Sequence, residues 1–235
     1  MKKYIYLTLA ALLSTGLLSC TKEETVVETQ NTVEEITVTA DEGQKSVLVR
    51  TSGRWNVAIE DADADWISLV GSTSGAGEGA FTFAYDANRP TSVSRGLRRA
   101  AHVVVTTGDM FTSKTIVVKQ AGVAPTLFFR QELVELTSDA QEVCRLPLDS
   151  NLSYKDAESF RFGVVSPQGT DWLSNFGVSK DLSSITFSCT ENTTGQARVA
   201  SVSVNYVDAW GQILVSTCGV QQGVPATDEG EPDVE

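Results

Sequence analysis

Residues that could do chemistry by type and spacing fall into a few groups in this chain: alternating acids, a glycine-rich run, a basic cluster and four cysteines. Asp61, Asp63 and Asp65 alternate as at the start of an EF-hand, which then needs Gly at position 6 and a bidentate Glu at position 12. Those places hold Trp66 and Ser72, so the run reads as an acidic turn at a strand end. The stretch SGAGEGA, Ser74 to Ala80, is glycine-rich but lacks the Gly-Lys-Ser/Thr ending and the following helix of a phosphate loop; it reads as a mobile turn. Arg89, Arg95, Arg98, Arg99 and His102 form a basic cluster that would suit an anionic sugar or, more commonly, neutralise nearby acids. His102 is the single histidine, and it opens a valine-rich run with no nucleophile motif beside it. No nucleophile–base pair, carboxylate pair or metal-ligand spacing is evident, so the expectation is no catalytic residue, no metal, no cofactor and no enzyme.

Aromatic rings are the other candidates, because a pyranose offers apolar faces to stack on. Trp55 alternates in phase with Val57 and Ile59, the pattern of a buried strand face. Trp66 precedes Ile67 as Trp172 precedes Leu173, which reads as core in both places. Phe81, Phe83 and Tyr85 share a face, as do Ile185, Phe187 and Cys189. Trp210 differs, since YVDAWGQ lies between two strand runs where a hairpin loop belongs. It either folds back onto a sandwich or its neighbour, or makes a ligand contact with Tyr206 and Asp208 beside it. Met110 and Phe111 hold the equivalent loop tip in the first half and are candidate contacts on the same ground.

The elements that would position these residues are strands. EITVTA, KSVLVR, RWNVAI, AFTFAY, AHVVVTT and KTIVVKQ are strand-sized and rich in Val, Ile, Thr and aromatics, with turn signals between them. No amphipathic helix of useful length follows residue 20. The second half repeats the first about 100 residues later. DWISLV at Asp65 answers DWLSNF at Asp171, and FTFAYDAN at Phe81 answers ITFSCTEN at Ile185. Arg98 to Thr106 answers Ala197 to Tyr206, and VVKQAG ending at Gly122 answers GVQQG ending at Gly223. A period this long implies tandem domains, not a solenoid. The fold expected is all-β, two tandem immunoglobulin-like β-sandwiches over 34–123 and 126–223, with Pro125 making a short, semi-rigid joint.

Both ends differ from this pattern. Lys2 and Lys3 precede an apolar run from Tyr4 to Leu18, a secretory signal peptide over 1–19 and too short to span a bilayer. The run ends in Leu17-Leu18-Ser19-Cys20, which resembles a bacterial lipobox, implying diacylglycerol on the Cys20 thiol and an acylated amine (palmitate-type chains). That chemistry makes the membrane a partner through a lipid anchor. Residues 20–33 then read as the lipidated Cys and a flexible polar tether, and 224–235 as an acidic disordered tail. With Cys20 set aside, Cys144, Cys189 and Cys218 remain. On apolar strand faces the default is three buried thiols; one bridge plus one thiol is the alternative.

Trp55, Trp66, the Gly-rich loop, Asn88, an Arg before a β-run and the closing VVKQAG resemble the BACON domain (Bacteroidetes-Associated Carbohydrate-binding Often N-terminal). Residues 35–122 carry the resemblance more fully than 127–223, where Phe160 or Phe162 replaces Trp55 and QAG becomes QQG. The resemblance implies an immunoglobulin-like sandwich in a Bacteroidetes surface lipoprotein, at the outer membrane and facing outward. It also implies possible glycan partners.

Composition sets the remaining limits. The net charge is −12, and losing Lys2 and Lys3 with the signal peptide takes it to −14. A chain this acidic, with no basic stripe, is not a nucleic-acid binder. Apolar content of 41% supports real cores. Two functions follow as expectations: a non-catalytic, glycan-associated surface module, or a spacer and adhesin-like scaffold contacting surface proteins.

Overall fold

Short runs of β-branched and aromatic residues with every second side chain apolar can hide that face only by stacking sheet on sheet. The structure, a computed structural model, describes residues 25–28, 34–62, 64–108 and 112–225. The expected signal peptide, Cys20, Met110, Phe111 and all of the acidic stretch beyond Pro225 lie outside the described residues.

The first sandwich contains β1 (Thr25–Glu28), β2 (Glu34–Val38), β3 (Gly43–Arg50), β4 (Arg54–Ile59), β5 (Ile67–Val70), β6 (Ser74–Ala76), β7 (Gly79–Tyr85), β8 (Arg99–Thr107) and β9 (Thr112–Gln120). One sheet runs β1-β3-β7-β5 and the other β2-β9-β8-β4-β6. The second sandwich contains β10 (Leu127–Phe129), β11 (Leu133–Leu136), β12 (Gln141–Ser150), α1 (Tyr154–Ala157), β13 (Arg161–Val165), β14 (Leu173–Val178), β15 (Ser184–Cys189), β16 (Arg198–Val207) and β17 (Ile213–Gln222). Its sheets run β10-β12-β15-β14 and β11-β17-β16-β13. In each sandwich an early strand, β2 or β11, lies parallel to the last, β9 or β17; of the remaining pairings only β1 with β3 is parallel, and the others are antiparallel. The chain is therefore all-β and builds one immunoglobulin-like design twice.

Each sandwich has its own core. Ile36, Val47, Trp55, Trp66, Phe81, Phe83, Val103 and Ile116 are among the residues filling the first. Leu146, Leu148, Trp172, Ile185, Phe187, Val202, Val204 and Val220 are among those filling the second. The two cores account for every tryptophan that recurs or alternates in the sequence.

Two expectations need correction. Within the tether expected over 20–33, Thr25–Glu28 form β1, which pairs in parallel with Val47 to Arg50 at the edge of a sheet. The strand covers an otherwise open sheet edge. The glycine-rich run is likewise no mobile turn. Ser74–Ala76 pair with Arg54–Asn56, and a Cβ at Gly75 would lie 2.5 Å from the Trp55 ring. Those glycines let the backbone lie flat on the indole, whose Nε1 donates to Gly77 O at 3.2 Å.

Candidate functional site

The β16–β17 hairpin carries Tyr206, Asp208 and Trp210; Tyr206 packs into its own core, while Asp208 and Trp210 turn toward the first sandwich. Asp208 Oδ1 accepts from the backbone N–H of Trp210 at 2.9 Å and of Gln212 at 2.8 Å, which fixes the turn. Gly211, at φ 78°, takes the left-handed position this turn requires. Asp208 Oδ2 accepts from Arg98 Nε at 2.5 Å and ion-pairs with the same guanidinium through Nη2. The side chains of this pair are only 12% and 2% exposed.

Arg98 also donates to Gln212 Oε1 at 2.6 Å and lies 5.2 Å from the centroid of the Trp210 ring. Trp210 Nε1 donates to the Arg99 carbonyl at 3.2 Å. Tyr206 is buried with its ring edge-on to Phe160, 5.8 Å between centroids. Burial, and then the nearby Asp156 and Asp208 charges, push its phenol up to about 12.

Further contacts seal the same boundary. Arg95 donates to the Leu152 carbonyl, and Leu97 packs against the second core. Asn151 accepts from Thr126 N–H at 2.8 Å and donates to Ala124 O at 2.9 Å. The hairpin is a joint between sandwiches.

The basic cluster is used internally. Besides Arg95 and Arg98, Arg89 pairs with Asp41, and Arg99 stacks on Trp66 at 4.5 Å while donating to Gln120. Asp61 accepts from His102 N–H at 2.5 Å and from its ring Nδ1 at 2.9 Å, so part of the acidic run is a partner for the histidine. No group of three metal-ligating side chains occurs among the described residues.

A cleft of about 260 Å³ opens at the other end of the first sandwich, lined by Arg54, Trp55, Asn56, Ser74, Thr106 and Gly108. Asn56 faces Ser74 on one neighbouring strand and Thr106 on the other, so an amide and two hydroxyls form a row across three strands. Arg54 adds a guanidinium that forms no ion pair among the described residues. The sequence offered no sign of this row, because it exists only once the strand register is known.

Comparison with known proteins adds one family. Residues 162–216 match BACON. That family's description reads "Putative binding domain, N-terminal". The BACON match runs from β13 into β17, in the second sandwich, whereas the motifs suggested the first as the better likeness. Tyr206, Asp208 and Trp210 fall inside the matched span, and the cleft falls outside it. No curated protein sequence matches the chain.

Among solved structures, the mouse cadherin-23 fragment EC22-24 is 12% identical, with 83% of this chain and 62% of that one covered and a TM-score of 0.32. An I-band fragment of titin gives 7%, 82%, 62% and 0.32 for the same measures. A SusE-like surface located polysaccharide binding protein from Bacteroides thetaiotaomicron gives 10%, 82%, 33% and 0.26. The chain spans less than two thirds of each of these chains.

Proposed function

We propose that this chain is a non-catalytic surface lipoprotein, tethered through lipid on Cys20 at the outer membrane, whose two sandwiches form one glycan-associated arm. The observation that carries the binding role is the polar row Ser74–Asn56–Thr106 beside Arg54 and the Trp55 edge, around a cleft of about 260 Å³. Amide, hydroxyl and guanidinium groups suit the hydroxyls and acidic substituents of a sugar unit. The match to a binding-domain family in the second sandwich supports a binding role for the protein as a whole. Met110 and Phe111, shortly beyond Gly108 in sequence, are candidate contacts by chemistry alone, a thioether and an aromatic ring. Asp208 and Trp210 serve the arm by holding it at one angle.

Titration of the chain from Thr21 with mucin and plant glycans, followed by calorimetry, tests this. A saturable heat with at least one glycan is expected, weakened about tenfold or more in Asn56→Ala and Arg54→Ala, as loss of a hydrogen bond worth roughly 1.4 kcal/mol implies. A second reading, a spacer or scaffold that contacts protein partners, is favoured by the closed joint, since rigid spacing needs no sugar cleft. Absence of any glycan response from folded protein would leave the scaffold reading in its place.

A further inference from the structure

Cys144 and Cys189 come from adjacent strands of one sheet and point to the same core. The β12–β15 register sets Cys144 opposite Phe187 and Gln141 opposite Cys189, with an irregularity between Gln141 and Cys144. That bulge brings the two sulfurs to 3.6 Å. Both are buried, 3% and 5% exposed. Cys218 is buried as well, but on β17 of the facing sheet, where its thiol donates to Gly219 O at 3.3 Å. The sulfurs of the first pair are in van der Waals contact, and a bond length of about 2.05 Å needs an approach of only about 1.6 Å.

We propose that Cys144 and Cys189 are joined as a disulfide in the exported protein, a staple between β12 and β15, while Cys218 stays a thiol. The oxidant is a disulfide of the exchange class, on an oxidoreductase or a small thiol compound. One cysteine thiolate attacks that disulfide; its S–S bond breaks, one sulfur leaves as thiolate, and a mixed disulfide forms. The second cysteine gives its proton to solvent and attacks the chain-side sulfur, releasing the other thiolate. Two protons leave the pair, and two electrons reduce the partner to its dithiol form.

Burial, and then the hydrogen bond with Cys189, hold the Cys144 thiol well above the ordinary range, so the packed core supplies little thiolate. The exchange therefore belongs to folding, before β12 and β15 are sealed against the facing sheet. An oxidising compartment is required, and to that extent the bridge rests on export; the chemistry itself does not depend on glycan binding.

The test is refolding of the chain from Thr21, which lacks Cys20, with oxidised glutathione, then counting thiols in denaturant. The three cysteines should fall to one free thiol, with the mass lower by two hydrogens. A non-reduced peptide map of the wild type should join the Cys144 and Cys189 peptides. Cys218→Ser should retain the bridge, and Cys144→Ser should abolish it. Three free thiols after oxidative refolding to the native fold, or a bridge that includes Cys218, would overturn the assignment whether or not any glycan binds.

Discussion

The phenol of Tyr206 has lost most of its water to the second core, with Asp156 and Asp208 adding unfavourable negative charge to its ionised form. The folded chain therefore holds this proton more tightly than the unfolded one. A group raised from 10 to about 12 contributes stability that is present in full below pH 10 and is lost as pH rises toward 12. Tyr206→Phe cannot ionise, so its stability should fall less across that window, and the gap between the two proteins in urea unfolding should change between pH 9 and 12. Parallel curves would place the phenol in a wetter setting than its burial indicates. The other aromatics divide by how local their partners are. Trp55 was legible as core because alternation along its strand reports burial, and Trp66 and Trp172 because the same apolar slot recurs in both repeats. Trp210 was legible as a loop residue that could fold back on the neighbouring sandwich, but its partners were not, because Arg98 and Arg99 sit 112 and 111 residues earlier, on the other sandwich.

Matched side chains close each sandwich at the same place. In the first, Arg99 stacks on Trp66 and donates to Gln120 Oε1 at 2.9 Å, while Gln120 Nε2 donates to Asp86 O at 2.8 Å. In the second, Arg198 lies 4.9 Å over Trp172 and donates to Gln222 Oε1 at 2.8 Å, while Gln222 Nε2 reaches the carbonyls of Ser138, Asp139 and Thr190. Asn88 and Asn192 then tie the last strand to the connection before β8 and β16. Four residue types that recur in the sequence are thus structural fastenings. Their spacing showed that a repeat exists but not what the repeat does, since a hydrogen-bonded latch and a ligand site use the same side chains. The end of the repeat was also misaligned by one: Gln120 corresponds to Gln222, so Gly223 stands where Ala121 does. Gly122 is needed separately, because a Cβ there would lie 2.4 Å from the Asn88 amide. Both glutamines are fully buried. Truncating one strands its buried carbonyl partners, at about 1–3 kcal/mol for each unsatisfied group after partial relaxation. Gln222→Ala should therefore destabilise by about 3 kcal/mol and Gln120→Ala by about 2 kcal/mol, measured by denaturant unfolding. Equal and small losses would mean that water replaces the amides.

Across the whole molecule, the β16–β17 hairpin of one sandwich closes on the segment leading into β8 of the other, and the contact is electrostatic at its centre. Arg98 is almost enclosed by Asp208, Gln212 and the Trp210 face, so its charge is compensated across the joint. The sequence placed Pro125 at the boundary and implied a short connection; the fixed angle comes from contacts it did not display, because Asp208 looks like any turn acid until its partner is known. Breaking a buried pair from one side leaves the other charge without compensation, typically a loss of about 3 kcal/mol or more. Asp208→Ala also removes the acceptor that orders the hairpin, so it should cost more than Arg98→Ala, which leaves the turn intact. Asp208→Asn retains an acceptor for the Trp210 and Gln212 N–H groups while removing the charge, and should fall between wild type and Asp208→Ala. NMR relaxation gives the mechanical readout: the wild type should tumble as one body, and Arg98→Ala should show two sandwiches reorienting separately while each keeps its own amide pattern. If Arg98→Ala still tumbles as one body, the apolar contact of Leu97 with the second core is sufficient to hold the arm, and the ion pair only sets its register.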